Sequence, residues 1–160
     1  MIFKSSNLTN FGIIYREYVQ FINELLKESQ LTFADSIFLC NIAVHSGCSQ
    51  EEISLNLHID RAAVARSIKK MEECGFVLVS RDKNDSRKKS LELSAKGKKL
   101  YEMVNSANEE RLSALLKGCS QKNAEIFFSV LETCAKNSVD AVLWEDFSVI
   151  IELRFQNERR

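Results

Sequence analysis

A chain of 160 residues has about the length of one ordinary domain and can bury a real core. Its 45% apolar and 28% charged residues give the balance of a folded globular protein and exclude a disordered one. No apolar run approaches the roughly 18 residues needed to cross a bilayer, and the N-terminus lacks a basic stretch followed by a long apolar one, so a cytoplasmic chain with no membrane partner is expected.

Proline is absent, and Gly47, Gly75 and Gly118 each follow an apolar-periodic run, where a left-handed helix terminus is usual. The first helix is predicted from about Leu8 to Glu28, with Phe11, Tyr15, Tyr18, Ile22 and Leu25 recurring every three or four residues. Thr32 can cap a second helix with Asp35 at its third position. Ile37, Cys40, Ile42, Ala43 and Val44 make that helix central to the core, and Gly47 ends it. Ser49-Gln50-Glu51-Glu52 is a capping box opening a short third helix, with Ile53 and Leu57 inward. His58-Ile59 makes a turn. Asp60 caps the fourth helix, which carries Val64, Ile68 and Met71 inward and stops at Gly75.

Phe76 to Arg81 is β-branched and apolar, as a strand requires. Residues 82–89 form a charged turn, and Ser90-Leu91-Glu92-Leu93 alternates so that it can return as the second strand. Ser94 caps a long helix to about Lys117, and a further helix starts near Ser120 with Ile126, Phe127, Val130, Leu131 and Cys134 as its apolar stripe. The 138–160 tail fits both a helical face (Val139, Leu143, Phe147, Ile150) and a strand (Ile151 to Phe155); a helix continuing the preceding stripe is expected. No repeat or linker interrupts the chain, so 1–160 reads as a single domain, mainly α with a small β-hairpin.

Helix, tight turn, helix and basic hairpin in that order make a winged helix-turn-helix lobe over residues 31–93. The formal net charge is zero, yet residues 61–99 hold 12 Lys+Arg against 5 Asp+Glu, leaving 10 against 17 elsewhere. Such polarity is the footprint of a surface that meets phosphates. A major groove about 12 Å wide admits one helix, whose first turns reach base edges. Arg61 and Arg66 can donate paired bonds to guanine, and the methyls of Ala62, Ala63 and Ala65 can touch thymine methyls. Lys69 and Lys70 suit phosphates. Ser49 and Gln50 stand at a helix N-terminus, whose amides suit an anion. Lys83, Ser86, Arg87, Lys88 and Lys89 form a basic wing that can follow the backbone and enter the minor groove. Asp85 is read as the buttress of Arg87 through a charge-assisted bond.

Five scattered cysteines in a chain with no export signal argue against a disulfide framework. Cys40, Cys74 and Cys134 read as small buried hydrophobes, with a redox-sensing thiol as the alternative. His45 and Cys48 are half a zinc site without a second pair, so no metal and no cofactor are expected.

These residues resemble the MarR family of bacterial regulators from about Leu31 to Gly97. The likeness rests on Leu31-Thr32-Phe33-Ala34, on Asp60-Arg61-Ala62-Ala63-Val64-Ala65-Arg66 and on Glu72-Glu73-Cys74-Gly75-Phe76-Val77. Asp85-Ser86-Arg87 is similar to the family's Asp-x-Arg wing signature, and Leu93-Ser94-Ala95-Lys96-Gly97 to its Leu-Thr-x-x-Gly exit. The resemblance implies a homodimer interlocked through helices 8–28 and 95–160, with Phe11, Tyr15, Tyr18, Phe127, Val130 and Leu131 in the dimer contact. It implies a double-stranded, palindromic operator, and regulation by small aromatic ligands or by cysteine oxidation. The chain departs from the family in its alanines at 62, 63 and 65, in Lys88, in Tyr15 where some oxidation sensors carry cysteine, and in its longer tail.

The leading expectation is therefore a DNA-binding transcription regulator, read as a repressor. A winged-helix module that binds protein without DNA is the alternative from another class, though it would not need the clustered basic charge. An enzyme is disfavoured by the absence of a Gly-rich phosphate loop, a His-Glu-x-x-His run or a Gly-x-Ser-x-Gly elbow. Tyr15, Tyr18, Phe33 and Phe38 are aromatic enough to line a pocket or simply to fill the core.

Overall fold

The computed structural model describes residues 5–81 and 89–138. Among them are α1 (Ser5–Leu25), a 3-10 turn (Lys27–Ser29), α2 (Phe33–Val44), α3 (Gln50–Leu57), α4 (Arg61–Glu73), β1 (Val77–Arg81), β2 (Lys89–Leu93), α5 (Ala95–Leu115) and α6 (Gln121–Ser138). The mainly helical chain with one hairpin is the arrangement the sequence predicts. The expected wing tip and the tail beyond Ser138 lie outside the described residues. No described helix is long and apolar enough to cross a membrane.

The chain divides into two compact units, Met1–Arg111 and Leu112–Arg160. The first holds the core. Ile22 and Leu26, Leu39 and Ile42, Ile53, and Val64, Ile68 and Met71 are all buried at its centre, together with Val77 and Leu91 of the hairpin. The expected inner faces of α3 and α4 are thus occupied as their periodicity requires.

Both capping boxes form. Thr32 Oγ1 accepts from the Asp35 amide while Asp35 Oδ2 accepts from the Thr32 amide at 2.8 Å. Ser49 and Glu52 make the same reciprocal pair, with the Ser49 amide donating to Glu52 Oε2 at 2.7 Å. Asp60 caps α4 by accepting from the Ala63 amide at 3.0 Å.

α1 ends at Leu25, short of the expected Glu28. The buried Leu26 carbonyl accepts from both the amide and the hydroxyl of Ser29, at 2.9 and 2.6 Å, which tightens the chain into a 3-10 turn. Gln30 then takes a left-handed conformation and turns the chain into α2.

β1 and β2 pair antiparallel, from Val77 opposite Leu93 to Arg81 opposite Lys89. The outer edge of β2 is met by the segment after α2. The Gly47 amide donates to the Leu91 carbonyl and the Leu91 amide to the Cys48 carbonyl, each at 2.9 Å. Ser90 is buried because its hydroxyl donates to the Gly47 carbonyl at 3.2 Å.

α5 starts against the backbone of the hairpin. The Ser94 amide donates to the Phe76 carbonyl at 3.0 Å, the Ser94 hydroxyl donates to the Gly75 carbonyl at 2.7 Å, and the same hydroxyl accepts from the Gly97 amide at 3.0 Å. Gly75 itself sits at φ +77, a conformation that ends α4 without a Cβ penalty.

The cysteines differ in part from expectation. All five are free; Cys48 is buried, Cys40 and Cys74 are half-buried, and Cys134 is exposed. Cys134 lies on α6, which buries none of its residues, so its apolar stripe does not make a core position within that unit.

Candidate nucleic-acid interface

α4 separates two kinds of side chain. At about 100° per residue, positions 61, 62, 65, 66 and 69 fall within an arc of about 140°, and positions 64, 67, 68 and 71 lie on the opposite side. Arg61, Ala62, Ala65, Arg66 and Lys69 are exposed, while Val64, Ser67, Ile68 and Met71 are buried. The buried side anchors the helix, and the other presents two guanidinium groups, two methyls and an ammonium together. The sequence places Ala63 and Lys70 among the DNA-facing residues of α4, whereas the structure sets both at the border of the stripe, half-buried.

Two of the three exposed cations carry local carboxylate partners. Arg61 Nη2 pairs with Glu51 Oε1 across the turn between α3 and α4, with both side chains more than half exposed. Lys69 Nζ lies 3.8 Å from Glu73 Oε1 one turn on. Pairs of this kind contribute about 0–1 kcal/mol and are readily exchanged for another anion.

Lys70 is held differently. Its ammonium lies 2.9 Å from Oδ2 of Asp35, whose side chain is only 8% exposed. Ser67 Oγ donates to the other oxygen of the same carboxylate. Burial raises the Asp35 pKa, but bonds from Ser67, Lys70 and Thr32 outweigh it and hold the carboxyl below its ordinary value. The sequence marks Asp35 only as the partner of Thr32 in the cap of α2; its bonds to Ser67 and Lys70 of α4 emerge only in the structure.

Ser49 and Gln50 are half-buried at the start of α3. The Ser49 amide and hydroxyl both engage Glu52, and Glu51 and Glu52 place two carboxylates in that first turn. This makes the helix N-terminus a weaker anion site than its amides alone would give.

In the hairpin, Lys89 is exposed and stands opposite the exposed Arg81. Like charges directly opposite one another are destabilising in a sheet, so the stem of the wing concentrates positive charge against its own stability. Lys83, Asp85, Ser86, Arg87 and Lys88 lie outside the described residues.

Each unit also carries uncovered apolar surface. On α1, Leu8, Phe11 and Tyr15 are exposed, Phe11 by 68%. On α6, Ile126, Phe127, Phe128, Val130 and Leu131 are exposed, Val130 by 54%. Tyr18 is instead drawn toward the core: it packs edge-on against Phe33 at 5.8 Å and donates to Asn108 Oδ1 of α5.

A cavity of about 420 Å³ opens beside that contact in the first unit, lined among others by Tyr18, Phe33, Ile37, Cys40, Asn41 and Asn108. Asn41 Oδ1 is buried and has no hydrogen-bond partner among the described residues. Burial pushes the Cys40 thiol up, and burial together with Glu52 does the same to Cys48. Neither shift favours the thiolate that oxidation chemistry needs.

The family model described as the transcriptional regulator SarA/Rot matches residues 20–104. Over 130 residues the chain is 29% identical to YybA, an uncharacterised HTH-type transcriptional regulator of Bacillus subtilis strain 168, covering 81% of this chain and 87% of that one. It is 27% identical over 127 residues to the HTH-type transcriptional regulator BilQ of Clostridium symbiosum, covering 79% and 88%. Among solved structures, a MarR-family transcriptional regulator of Listeria monocytogenes complexed with a 26mer DNA is similar at a TM-score of 0.76 and 29% identity, over 87% of this chain and 93% of that one.

Proposed function

The chain belongs to the SarA/Rot family of transcriptional regulators, MarR-like winged-helix proteins and not enzymes, and from that premise we propose that it acts in the cytoplasm as a homodimeric repressor on a palindromic operator. The observation that carries this reading is the exposed stripe of α4, where Arg61, Ala62, Ala65, Arg66 and Lys69 share one face. In this reading the two arginines and the methyls of Ala62, Ala63 and Ala65 meet base edges. Lys69, Lys89 and the wing residues Lys83, Ser86, Arg87 and Lys88 meet phosphates, with Asp85 holding Arg87 and with Ser49 and Gln50 at the flank.

Both units serve one function. The uncovered faces at Phe11 and Tyr15 of the first unit and at Phe127, Val130 and Leu131 of the second are the surfaces proposed to pair two copies, with the half-buried Tyr18 joining Phe11 and Tyr15 on α1. Sedimentation equilibrium should give twice the chain mass, and footprinting should give half-sites about 34–36 Å apart.

The test of the DNA face is a binding series on duplexes selected from a random pool. Arg61→Ala and Arg66→Ala should each weaken operator binding by about 1–3 kcal/mol and relax sequence preference. Lys89→Ala should weaken binding to every duplex alike and lower the salt dependence. If the double arginine variant bound its operator as the wild type does, this face would not be the reading surface.

Glu51 competes with DNA for Arg61 in this scheme. Glu51→Gln should leave unfolding free energy within about 0.5 kcal/mol, since the pair is exposed. It should tighten operator binding severalfold at low salt, as measured by fluorescence anisotropy; unchanged affinity would mean Arg61 is not drawn to DNA.

A small aromatic molecule in the α1–α2–α5 cavity is the proposed signal for release. The described lining holds no lysine or arginine, and Asn41 Oδ1 awaits a donor, so an uncharged phenol suits it better than a carboxylate. Phenol should displace the wild type from operator, and Asn41→Leu should blunt that displacement. Release by benzoate alone would refute the choice.

A further inference from the structure

Apolar packing holds α4 to the lobe but does not by itself fix its pose, because hydrophobic contact is non-directional. Packing of the buried Val64, Ile68 and Met71 resists movement but requires no particular donor to meet a particular acceptor. A hydrogen bond to a fixed acceptor does. The structure supplies one such acceptor, and it lies on a different helix.

We propose that Asp35 of α2, with Ser67 and Lys70 of α4, is the device that sets the rotation and height of the DNA-reading helix. Lys70 is thereby a positioning residue and not a phosphate contact. Asp35 is itself immobilised, because its Oδ2 accepts from the Thr32 amide at 2.8 Å and from the Thr32 hydroxyl at 2.9 Å in the cap of α2. From that fixed point it receives Lys70 Nζ at 2.9 Å and the Ser67 hydroxyl.

Ser67 and Lys70 are three residues apart, one turn of helix, so two anchors along the axis restrain both sliding and rolling. Ser67 is buried and directly follows Arg66, so a roll at Ser67 is passed straight to the guanidinium beside it. Directed contacts to base edges need placement within about 0.5 Å, finer than an apolar seam provides. Lys70's charge is already matched by a carboxylate that is 8% exposed, whereas Lys69, on the exposed stripe, is 3.8 Å from a carboxylate that is 65% exposed.

This inference rests on α4 being the DNA-reading element, and the experiment separates the two. Wild type, Lys70→Met, Lys70→Arg, Ser67→Ala and Asp35→Asn are titrated onto selected operator and onto scrambled duplex over a range of salt. Circular dichroism at the assay temperature checks each fold. Lys70→Met is expected to lower the operator-over-scrambled ratio by about ten-fold while the salt slope stays at the wild-type value. Ser67→Ala and Asp35→Asn should lower the same ratio, and Lys70→Arg should restore it.

A slope reduced by about 0.9 per contact in Lys70→Met, with the ratio intact, makes Lys70 a phosphate ligand and overturns the proposal. So does an unchanged ratio in both Lys70→Met and Ser67→Ala. Should Asp35→Asn fail to fold, those two variants decide. Wild type that shifts neither duplex removes the DNA reading itself, and this inference with it.

Discussion

Gly97→Ala is expected to lower the unfolding free energy by about 2 kcal/mol or more, although it replaces a helical glycine with the best helix former. A Cβ built on Gly97 would stand 2.0 Å from the Phe76 carbonyl oxygen and 3.0 Å from its carbon. That oxygen has little room to retreat. It accepts from the Ser94 amide at 3.0 Å, and Phe76's own amide is bonded to the Met71 carbonyl at 2.8 Å. The gain in propensity is about 1 kcal/mol, too small to offset a backbone clash.

Urea denaturation followed by circular dichroism measures the difference. Gly12→Ala is the control, since Gly12 is helical and a Cβ there meets nothing within 4 Å. It should gain about 0.5–1 kcal/mol. If Gly97→Ala proved as benign as Gly12→Ala, the close seat of α5 on the hairpin would be wrong.

Asp35→Ala is expected to cost about 3 kcal/mol or more, because it strips a buried acceptor from the Lys70 ammonium, the Ser67 hydroxyl and the Thr32 amide at once. The loss of the α2 cap alone accounts for about 1 kcal/mol of it. The same carboxylate imposes a pH dependence. Its folded pKa is held below the ordinary 3.8 because the bonds from Ser67, Lys70 and Thr32 outweigh the opposing effect of burial. The unfolded chain therefore binds this proton at a higher pH than the native one does. The stabilisation is complete above the unfolded value and is lost as pH falls from there through the folded value. Wild type should lose its margin over Asp35→Asn when urea midpoints at pH 7 are compared with those near pH 3. Parallel curves would show that Asp35 is not the group titrating.

The reach of the sequence differed from one residue to the next for physical reasons. Ser49 with Glu52, and Thr32 with Asp35, are contacts three residues apart, and short loops of polar and charged side chains encode them directly. The inner stripe of α4 was legible because Val64, Ile68 and Met71 repeat at helical spacing. The stop of α1 at Leu25 was not, since it depends on how Ser29 bonds back to the buried Leu26 carbonyl. Lys70 read as one more cation of a basic stretch; only its pairing with a residue 35 positions earlier gives it another role. The burial of Ser90 was equally hidden, because its partner is a backbone carbonyl at Gly47. Gly97 was visible as part of a motif, but its necessity appears only when the Phe76 carbonyl is placed against it.

The two backbone bonds from Gly47 and Cys48 to Leu91 have a bearing on the protein's behaviour at high concentration. A lone hairpin offers two rows of unsatisfied amides and carbonyls to which a foreign strand can add. Here the middle of one row, at Leu91, is already bonded to the chain's own connecting segment, so a foreign strand cannot run the length of β2 without displacing it. On the β1 side Arg81 stands exposed, and charge discourages stacking of identical chains.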